Sequence, residues 1–230
     1  VVSVAKGIEN ETLKRPGSVL NDVLGCSVRY VMLSGPTIAD ELARKLPATA
    51  AAAAEDEQLA RNVQHVFSEK WFRVYTNSDV AGVEIASACK NIIAIAAGII
   101  DGISAGDNAK ASLLTRGLSE ISRLGLALGA REQTFSGLAG LGDLVTTCIS
   151  PKGRNRSFGE KVGSGMRVDE AVRSTESVIE GIATCESVSQ LASQLDVEMP
   201  ITQAVYQIVF EDKPVLEAVE ELMSRNLQPE

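Results

Sequence analysis

The chain has 230 residues, of which 45% are hydrophobic and 23% are charged, a composition typical of a folded globular protein rather than a disordered or fibrous one. Its 22 lysines and arginines stand against 30 aspartates and glutamates, a net charge of −8, which excludes the broad positive field that attracts nucleic acid or an anionic membrane. An anionic ligand must therefore meet a local cluster of cations.

The first third of the chain alternates between strand and helix patterns. The strands are predicted at residues 1–5, 29–33 and 71–75, and the helices at residues 37–45 and 55–67. The sequence opens with an apolar strand and no methionine. Such a strand normally has neighbours on both sides, so we expect the chain to be the later part of a longer protein.

Two further patterns complete this third. The helix at residues 55–67 is predicted to bury Leu59, Val63 and Val66 on one face. Residues 47–54 are ambiguous, because alanine favours a helix whereas Pro47 and Thr49 after a helix favour a strand. Alternation of strands and helices predicts a parallel sheet.

From about residue 78 onward the patterns are helical only. A nearly uncharged helix is predicted at residues 80–100. Two more helices are indicated by apolar stripes at Leu114, Leu118, Ile121 and Leu128, and at Cys185, Val188, Leu191 and Leu195. Pro200 and Pro214 each occupy a position where a helix begins. We therefore predict an α/β part at residues 1–77 and an all-α part at residues 78–230.

Some classes of site are not supported. The longest strongly apolar run, residues 92–100, is far shorter than the roughly 20 residues that span a bilayer. His65 is the single histidine, so neither a zinc site nor a histidine-activated nucleophile is indicated. Four scattered cysteines without a CxxC motif predict reduced thiols: Cys26, Cys89, Cys148 and Cys185.

Lys90 is the first candidate catalytic residue. Between residues 80 and 100 the only other charged residue is Glu84, and no anion lies three or four positions from Lys90. Partial desolvation disfavours an ammonium and lowers its pKa, which is how a lysine becomes a general base near neutral pH. The alternative is a side chain that extends along its helix to solvent.

The segment Ser-Pro-Lys-Gly-Arg-Asn-Arg at residues 150–156 is the second candidate. Its three cations, Lys152, Arg154 and Arg156, fall within a stretch of five residues, although the chain as a whole is acidic. Arginine presents a planar fork to phosphate, and Gly153 lets backbone amides approach an anion. A solvated basic turn is the alternative.

Three glycine-containing segments are weaker candidates. Residues 137–143, Gly-Leu-Ala-Gly-Leu-Gly-Asp, have the order G-x-x-G-x-G and no preceding strand, so we predict a bend that presents Asp143 rather than a dinucleotide fingerprint. Lys6 follows a strand at the sheet edge where α/β proteins bind ligands. Gly35 and Thr37 form a similar turn after the next strand.

Six motifs in order carry a family resemblance over the whole chain. They are VAKGIE at 4–9, SGPTIADE at 34–41, KNIIAIAAGIIDG at 90–102, GLAGLGDLVTTC at 137–148, GRNRSFG at 153–159 and VIEG at 178–181. The sequence resembles the soluble NAD(P)-dependent glycerol-3-phosphate dehydrogenases rather than the membrane flavin enzymes. The resemblance implies the remainder of a Rossmann domain followed by an all-α C-terminal domain of the 6-phosphogluconate dehydrogenase type.

The same resemblance implies a reaction and a set of site residues. Sn-glycerol 3-phosphate is oxidised at C2 to dihydroxyacetone phosphate with NAD or NADP, and the reverse direction supplies glycerol 3-phosphate for lipid synthesis. The implied catalytic residues are Lys90 as general acid and base, Lys6 and Asp143. The implied substrate contacts are Lys6, Gly35, Thr37, Lys90, Asp143, Gly153, Arg154 and Asn155. The implied cofactor contacts are Lys6, Ala39, Arg154, Val178 and Glu180.

The sequence departs from the family pattern in three places. Gly153 and Thr37 stand where many bacterial members have serine, and the G-x-G-x-x-G turn that opens the family's Rossmann domain is absent. We expect roughly a hundred preceding residues, most of the first nucleotide-binding half. Without them the choice between NAD and NADP is open, as is the compartment, cytoplasm or plastid stroma.

Two other functions remain open at this point. The first is a short non-catalytic module for dimerisation or phosphate binding. The second is a related dehydrogenase that acts on a hydroxy acid. The basic segment at residues 153–156 argues against the second. By resemblance we expect a homodimer, a small-molecule substrate, and neither nucleic acid nor membrane insertion.

Overall fold

A computed structural model describes residues 1–25, 27–175 and 177–226 of the chain. Cys26, one of the cysteines considered above, lies outside these residues. Within them four strands precede a long series of helices. The strands are β1 (Val2–Ser3), β2 (Val31–Ser34), β3 (Ala48–Ala53) and β4 (Phe72–Asn77). The helices between them are α1 (Pro16–Leu24), α2 (Ala39–Ala43) and α3 (Glu57–Phe67).

The helices that follow are connected by short loops. They are α4 (Val80–Gly102), α5 (Asp107–Ala127), α6 (Glu132–Phe135), a π-helical turn (Leu138–Gly142), α7 (Asp143–Ile149), α8 (Arg154–Gly163), α9 (Val168–Arg173), α10 (Glu180–Gln194), α11 (Pro200–Phe210) and α12 (Val215–Met223). The predicted fold class is confirmed: a small Rossmann-like sheet is followed by a helical part.

The sheet is mixed, so the prediction of a purely parallel sheet is wrong. Its strand order is β1-β2-β3-β4, and β2 pairs antiparallel with β3 whereas the other two pairs are parallel. The five-residue α2 is about 8 Å long, too short to carry the chain back along β2. β3 therefore starts at the edge where β2 ends.

The ambiguous segment forms β3, a strand built almost entirely of alanine. Alanine has a low strand propensity, but Ala50 to Ala53 are all buried, and their small side chains admit close neighbours. A Cβ on Gly35 would lie 2.8 Å from Ala50 Cα. Burial of both faces of the strand, with Ala50 and Ala52 in one apolar cluster and Ala53 in another, thus overrides local propensity.

Other predicted bounds need correction. α2 begins at Ala39 rather than directly after Pro36, and α3 begins at Glu57 with the Asp56 side chain accepting hydrogen bonds at its N-terminus. α3 buries Ala60 and Val63, whereas Val66 is 74% exposed, so the face that packs on the sheet is offset from the predicted one. The sequence analysis missed α1, although Pro16 at its first position is a recognised start signal.

α4 is the central helix of the helical part. It contacts α5, α7, α8, α10 and α11, and residues 82–99 are all buried. It is the one helix in the described ranges that is long and apolar enough to cross a membrane, but 94% of the relevant window is buried inside the protein. Its hydrophobicity is therefore explained by its place in the core.

Glycines bring α8 unusually close to α4. A Cβ on Gly98 would collide with the Arg156 carbonyl, and a Cβ on Gly159 would collide with the carbonyl of Ile95. Matching positions increase together along both helices, so the helices run in the same direction. The N-terminus of α8 therefore lies beside the middle of α4.

The remaining helices follow the sequence patterns with small differences. Pro200 is the first residue of α11, and Pro214 directly precedes α12. Leu195 lies just beyond the end of α10 and is partly exposed. The glycine-rich segment 137–143 is a π-helical turn that continues into α7 rather than a bend, because Gly140 packs against the backbone of Phe135.

Candidate active site

Asp143 lies at the centre of a group of side chains from both parts of the chain. It begins α7 and is 2% exposed. Its Oδ1 accepts a hydrogen bond from Lys90 Nζ at 2.5 Å, and its Oδ2 accepts one from Lys6 Nζ at 2.9 Å. Lys90 comes from α4, and Lys6 follows β1. One carboxylate thus joins two lysines that are distant in sequence.

Lys90 is desolvated, as the uncharged helix predicts. It is 5% exposed, and burial lowers its pKa from 10.5 to about 8. The Asp143 carboxylate opposes this effect, whereas the positive charge of Lys6 adds to it. The side chain does not extend to solvent. Lys90 therefore changes its protonation state close to neutral pH, as a general acid and base must.

Thr147 is a second hydrogen-bond partner of Lys90, and the sequence analysis missed it. Lys90 Nζ donates to Thr147 Oγ1 at 2.7 Å, and this hydroxyl donates in turn to the backbone carbonyl of Asp143 at 2.6 Å. Because its single proton is used within α7, the hydroxyl presents only a lone pair to Lys90. Thr147 lies four residues after Asp143, and this helical spacing was hidden by the prediction of a bend.

The first turn of α8 forms the opposite side of the group. Gly153 precedes the helix, and Arg154 and Asn155 are its first two residues. Asn155 Oδ1 accepts a hydrogen bond at 2.9 Å from the backbone amide of Gly181, at the start of α10. Its Nδ2 group is therefore the donor available to a ligand.

Glu180 lies next to this turn. Its two carboxylate oxygens are each 3.4 Å from a donor, Nη2 of Arg154 and Nδ2 of Asn91. These are long contacts on a side chain that is 40% exposed. An anion that binds Arg154 more closely would compete with Glu180.

The three cations of the basic segment separate in the structure. Arg154 and Lys152 line the cleft described below, with Lys152 paired to Asp40 at 3.0 Å. Arg156 instead pairs with Asp101 at 2.5 Å and with Glu160 at 3.3 Å. Arg156 therefore connects α8 to the end of α4 and lies outside the cleft lining.

These residues line a cleft of about 940 Å³ between the sheet and the helices. Of the predicted site residues, the cleft lining includes Lys6, Thr37, Ala39, Lys90, Asp143, Gly153, Arg154, Asn155 and Glu180. Gly35 is buried and packs on β3 rather than lining the cleft. Val178 is 75% exposed and lies outside the lining.

Metal binding is not indicated by the described residues. They contain no group of three His, Cys, Asp or Glu side chains that could hold a metal ion. Cys89, Cys148 and Cys185 are free thiols, and burial raises the pKa of each to about 12. These cysteines are therefore poor nucleophiles.

Comparisons with known proteins identify the family. A family model of the NAD-dependent glycerol-3-phosphate dehydrogenase C-terminus matches residues 79–220, and a model of the N-terminus matches residues 1–60. The glycerol-3-phosphate dehydrogenase (NAD(P)+) of Geobacter metallireducens is 50% identical over 100% of this chain and 69% of its own length. The enzyme of the same name from Thermobifida fusca is 51% identical over 100% of this chain and 69% of its own length.

Solved structures agree. The crystal structure of glycerol-3-phosphate dehydrogenase from Coxiella burnetii has a TM-score of 0.94 at 39% identity, covering 97% of this chain and 68% of that one. The glycerol-3-phosphate dehydrogenase of Saccharomyces cerevisiae has a TM-score of 0.84 at 27% identity, covering 95% and 66%. The resemblance based on six motifs is confirmed, and the chain belongs to the NAD-dependent glycerol-3-phosphate dehydrogenase family.

Proposed function

We propose that this chain carries the substrate-binding and proton-transfer residues of an oxidoreductase that interconverts sn-glycerol 3-phosphate and dihydroxyacetone phosphate with NAD or NADP. The family is that of such enzymes. The observation that supports these residue roles is the buried Lys90–Asp143 pair, which faces the same cleft as Arg154 and Asn155.

Lys90 is the general base in the direction of oxidation. Its neutral amine accepts the proton of the C2 hydroxyl, and in reduction its ammonium returns that proton to the C2 oxygen. Asp143 and Thr147 hold Nζ from two sides, which fixes its remaining direction toward the cleft. Lys6, on the other oxygen of Asp143, contacts the substrate as a second cation.

The first turn of α8 holds the substrate phosphate. Arg154 supplies a guanidinium fork and Asn155 an amide donor, and the positive end of a ten-residue helix adds a favourable field. Gly153 has no side chain, so the phosphate can approach the backbone at this position. Thr37 contacts the substrate from the sheet side, and Gly35 positions this side chain through its carbonyl, which accepts a hydrogen bond from the Thr37 hydroxyl at 3.1 Å.

The residues present fit the reacting end of a nicotinamide cofactor. When bound, NAD or NADP accepts the hydride from C2 in oxidation and supplies it in reduction. The cleft volume of about 940 Å³ is near the upper end of the roughly 300–1,000 Å³ of small-molecule sites, which leaves space beside the substrate. We assign the contacts to the cofactor to five residues: Lys6, Ala39, Arg154, Val178 and Glu180.

Replacement of Lys90 tests the assignment directly. In the enzyme as its own cells make it, Lys90→Ala is expected to lower kcat by about 10²-fold or more, because it removes the group that exchanges the proton. Lys161→Ala is the control, since Lys161 bonds Ser174 outside the cleft. Near-normal turnover of Lys90→Ala, with Lys161→Ala also normal, would show that another group is the base.

Assembly and location are proposed on the resemblance. We infer a homodimer formed through the helical part and a cytoplasmic location, with a small-molecule substrate as the partner that the family name supports. Sedimentation equilibrium of the purified enzyme tests the first, and a monomer at micromolar concentration would contradict it.

A further inference from the structure

Two buried serine hydroxyls connect Asp143 to α4. Ser34 is the last residue of β2, and its Oγ lies 3.3 Å from Asp143 Oδ2. Ser87 lies three residues before Lys90 on α4, and its Oγ lies 2.6 Å from Ser34 Oγ. The two serines are 3% and 0% exposed, so solvent does not compete for these hydrogen bonds.

The oxygen positions allow two arrangements of the hydroxyl hydrogens in which Ser34 and Ser87 remain bonded to each other. Ser87 Oγ is also 2.6 Å from the Val83 carbonyl. In the first arrangement Ser87 donates to Ser34, and Ser34 donates to Asp143. In the second, Ser34 donates to Ser87, and Ser87 donates to the Val83 carbonyl. Each hydroxyl carries one proton, so only the first arrangement gives Asp143 a neutral donor.

The charge around Asp143 changes during the proposed reaction. Two charged groups bond the carboxylate, Lys6 from the segment after β1 and Lys90 from α4, whereas Arg154 and Glu180 line the same cleft from α8 and α10. β2 contributes only Ser34, and α7 carries no other charged residue. When Lys90 is neutral, the buried carboxylate keeps one cation, and an additional donor then stabilises it most.

We propose that Ser34 and Ser87 are positioning residues that turn a hydroxyl hydrogen toward Asp143 when Lys90 is neutral and toward the Val83 carbonyl when Lys90 is an ammonium. This inference rests on the proposed role of Lys90. The pair acts through Asp143. It stabilises the form of the site in which Lys90 is ready to accept a proton.

The titration of Lys90 tests this inference without any cofactor. Lysines labelled with ¹³C at Cε are followed by NMR from pH 6 to 11, and the Lys90 signal is assigned with Lys90→Arg. In Ser34→Ala the midpoint is expected to rise by about 0.5 pH units, because a carboxylate without the hydroxyl donor holds the ammonium more strongly. In Ser87→Ala it is expected to stay at or below the wild-type value, because the Ser34 hydroxyl then keeps Asp143 as its acceptor and donates to the carboxylate in both protonation states.

The matched control is Ser187→Ala. Ser187 is also 0% exposed and bonds only carbonyls of its own helix, α10. It is expected to lose stability like the other variants but to keep the wild-type midpoint. Ser34→Thr, which retains the hydroxyl, is expected to restore the midpoint.

Three outcomes decide the matter. A midpoint in Ser34→Ala that coincides with that of Ser187→Ala or moves to lower pH, or a midpoint in Ser87→Ala that rises as in Ser34→Ala, would overturn the role of the serines. If the Lys90 midpoint rises as expected but Lys90→Ala retains turnover, the positioning of Lys90 stands and the proposed base is wrong. The acid limb of kcat/KM for oxidation is expected to move to higher pH together with the NMR midpoint in the enzyme as its own cells make it.

Discussion

A single carboxylate that serves two lysines sets the chemistry at the scale of residues. Burial alone would leave Lys90 a poor proton carrier, because an uncompensated ammonium in the core is unfavourable. Asp143 restores part of the lost stabilisation, and the pKa of Lys90 settles at about 8. At that value both protonation states are accessible near neutral pH, which a reversible reaction requires.

Removal of the carboxylate gives a prediction with a definite sign. In Asp143→Asn the pKa of Lys90 is expected to fall below about 8, because the attraction is lost while burial and the charge of Lys6 still oppose the ammonium. The residual kcat/KM for oxidation should reach its plateau at lower pH than in the wild type, with a lower maximum. A pH profile from 6 to 10 measures both.

The control for this variant is Asp169→Asn, which removes an exposed carboxylate on α9 that pairs with Arg173. It should reproduce the wild-type profile. A midpoint in Asp143→Asn at or above that of the wild type would mean that the carboxylate does not stabilise the Lys90 ammonium.

Lys90 itself was predictable because desolvation can be read from its own helix. Its partner was indicated by the family resemblance alone, since Asp143 lies 53 residues further along the chain and no local pattern encodes that contact. Thr147 left a weaker signal, a hydroxyl one helical turn after an acid. Recognition of that signal requires residues 143–149 to be identified as a helix.

At the scale of elements, the close contact of α4 and α8 determines where the phosphate-binding turn lies. Gly98 and Gly102 on α4 face Gly159 and Gly163 on α8, and in each case a Cβ would collide with backbone of the other helix. Backbone cannot rotate away as a side chain can. The contact therefore fixes the helix separation and, with it, the position of Arg154.

Alanine substitutions measure this contact. Gly98→Ala and Gly159→Ala are each expected to lower the free energy of unfolding by at least about 2 kcal/mol, toward the upper end of overpacking costs. Gly142→Ala is the control, since its nearest atoms to an added Cβ are 3.6 Å away. Urea titration gives the values, and a change below about 0.5 kcal/mol at Gly98 would show that the helices can move apart freely.

The antiparallel pairing of β2 and β3 illustrates what a local pattern cannot supply. The strand and helix types were predicted, but the direction of β3 depends on α2 being only five residues long. Capping and tertiary contacts determine such lengths. Tertiary contacts also select the buried face of α3, which contains Ala60 in place of Val66.

At the scale of the whole molecule, a buried acid connects helices that are far apart in sequence. Glu120 on α5 accepts hydrogen bonds from the backbone amides of Ile201 and Thr202 at 2.6 and 3.2 Å, and so caps the N-terminus of α11. Burial raises its pKa from 4.5 to about 7 despite these bonds. Its titration therefore affects the stability of the folded chain.

The sign of this effect follows from proton linkage. Between about pH 4.5 and 7 the folded chain holds a proton on Glu120 that the unfolded chain has released, so this residue makes stability fall as pH rises. In Glu120→Gln that contribution is expected to disappear. The thermal unfolding midpoint at pH 8 minus that at pH 5 should be more positive in the variant than in the wild type, and an equal or more negative value would contradict the prediction.

The division into a strand-containing and a helix-only part was readable from periodicity alone, because burial patterns repeat along each element. The cleft was not readable in this way. It joins Lys6, Ser34, Lys90, Asp143 and Arg154, which come from five separate segments. Only the resemblance to a family connected most of them before the structure did.

The central position of α4 constrains how the chain can vary in length. Glu84 holds Arg15 and Tyr30 on one part of this helix, Lys90 and Asn91 face the cleft, and Gly98 contacts α8. One inserted or deleted residue within it would rotate everything beyond that point by about 100° and break these contacts together. Insertions and deletions among active relatives are therefore expected in the loops, and absent between residues 84 and 98.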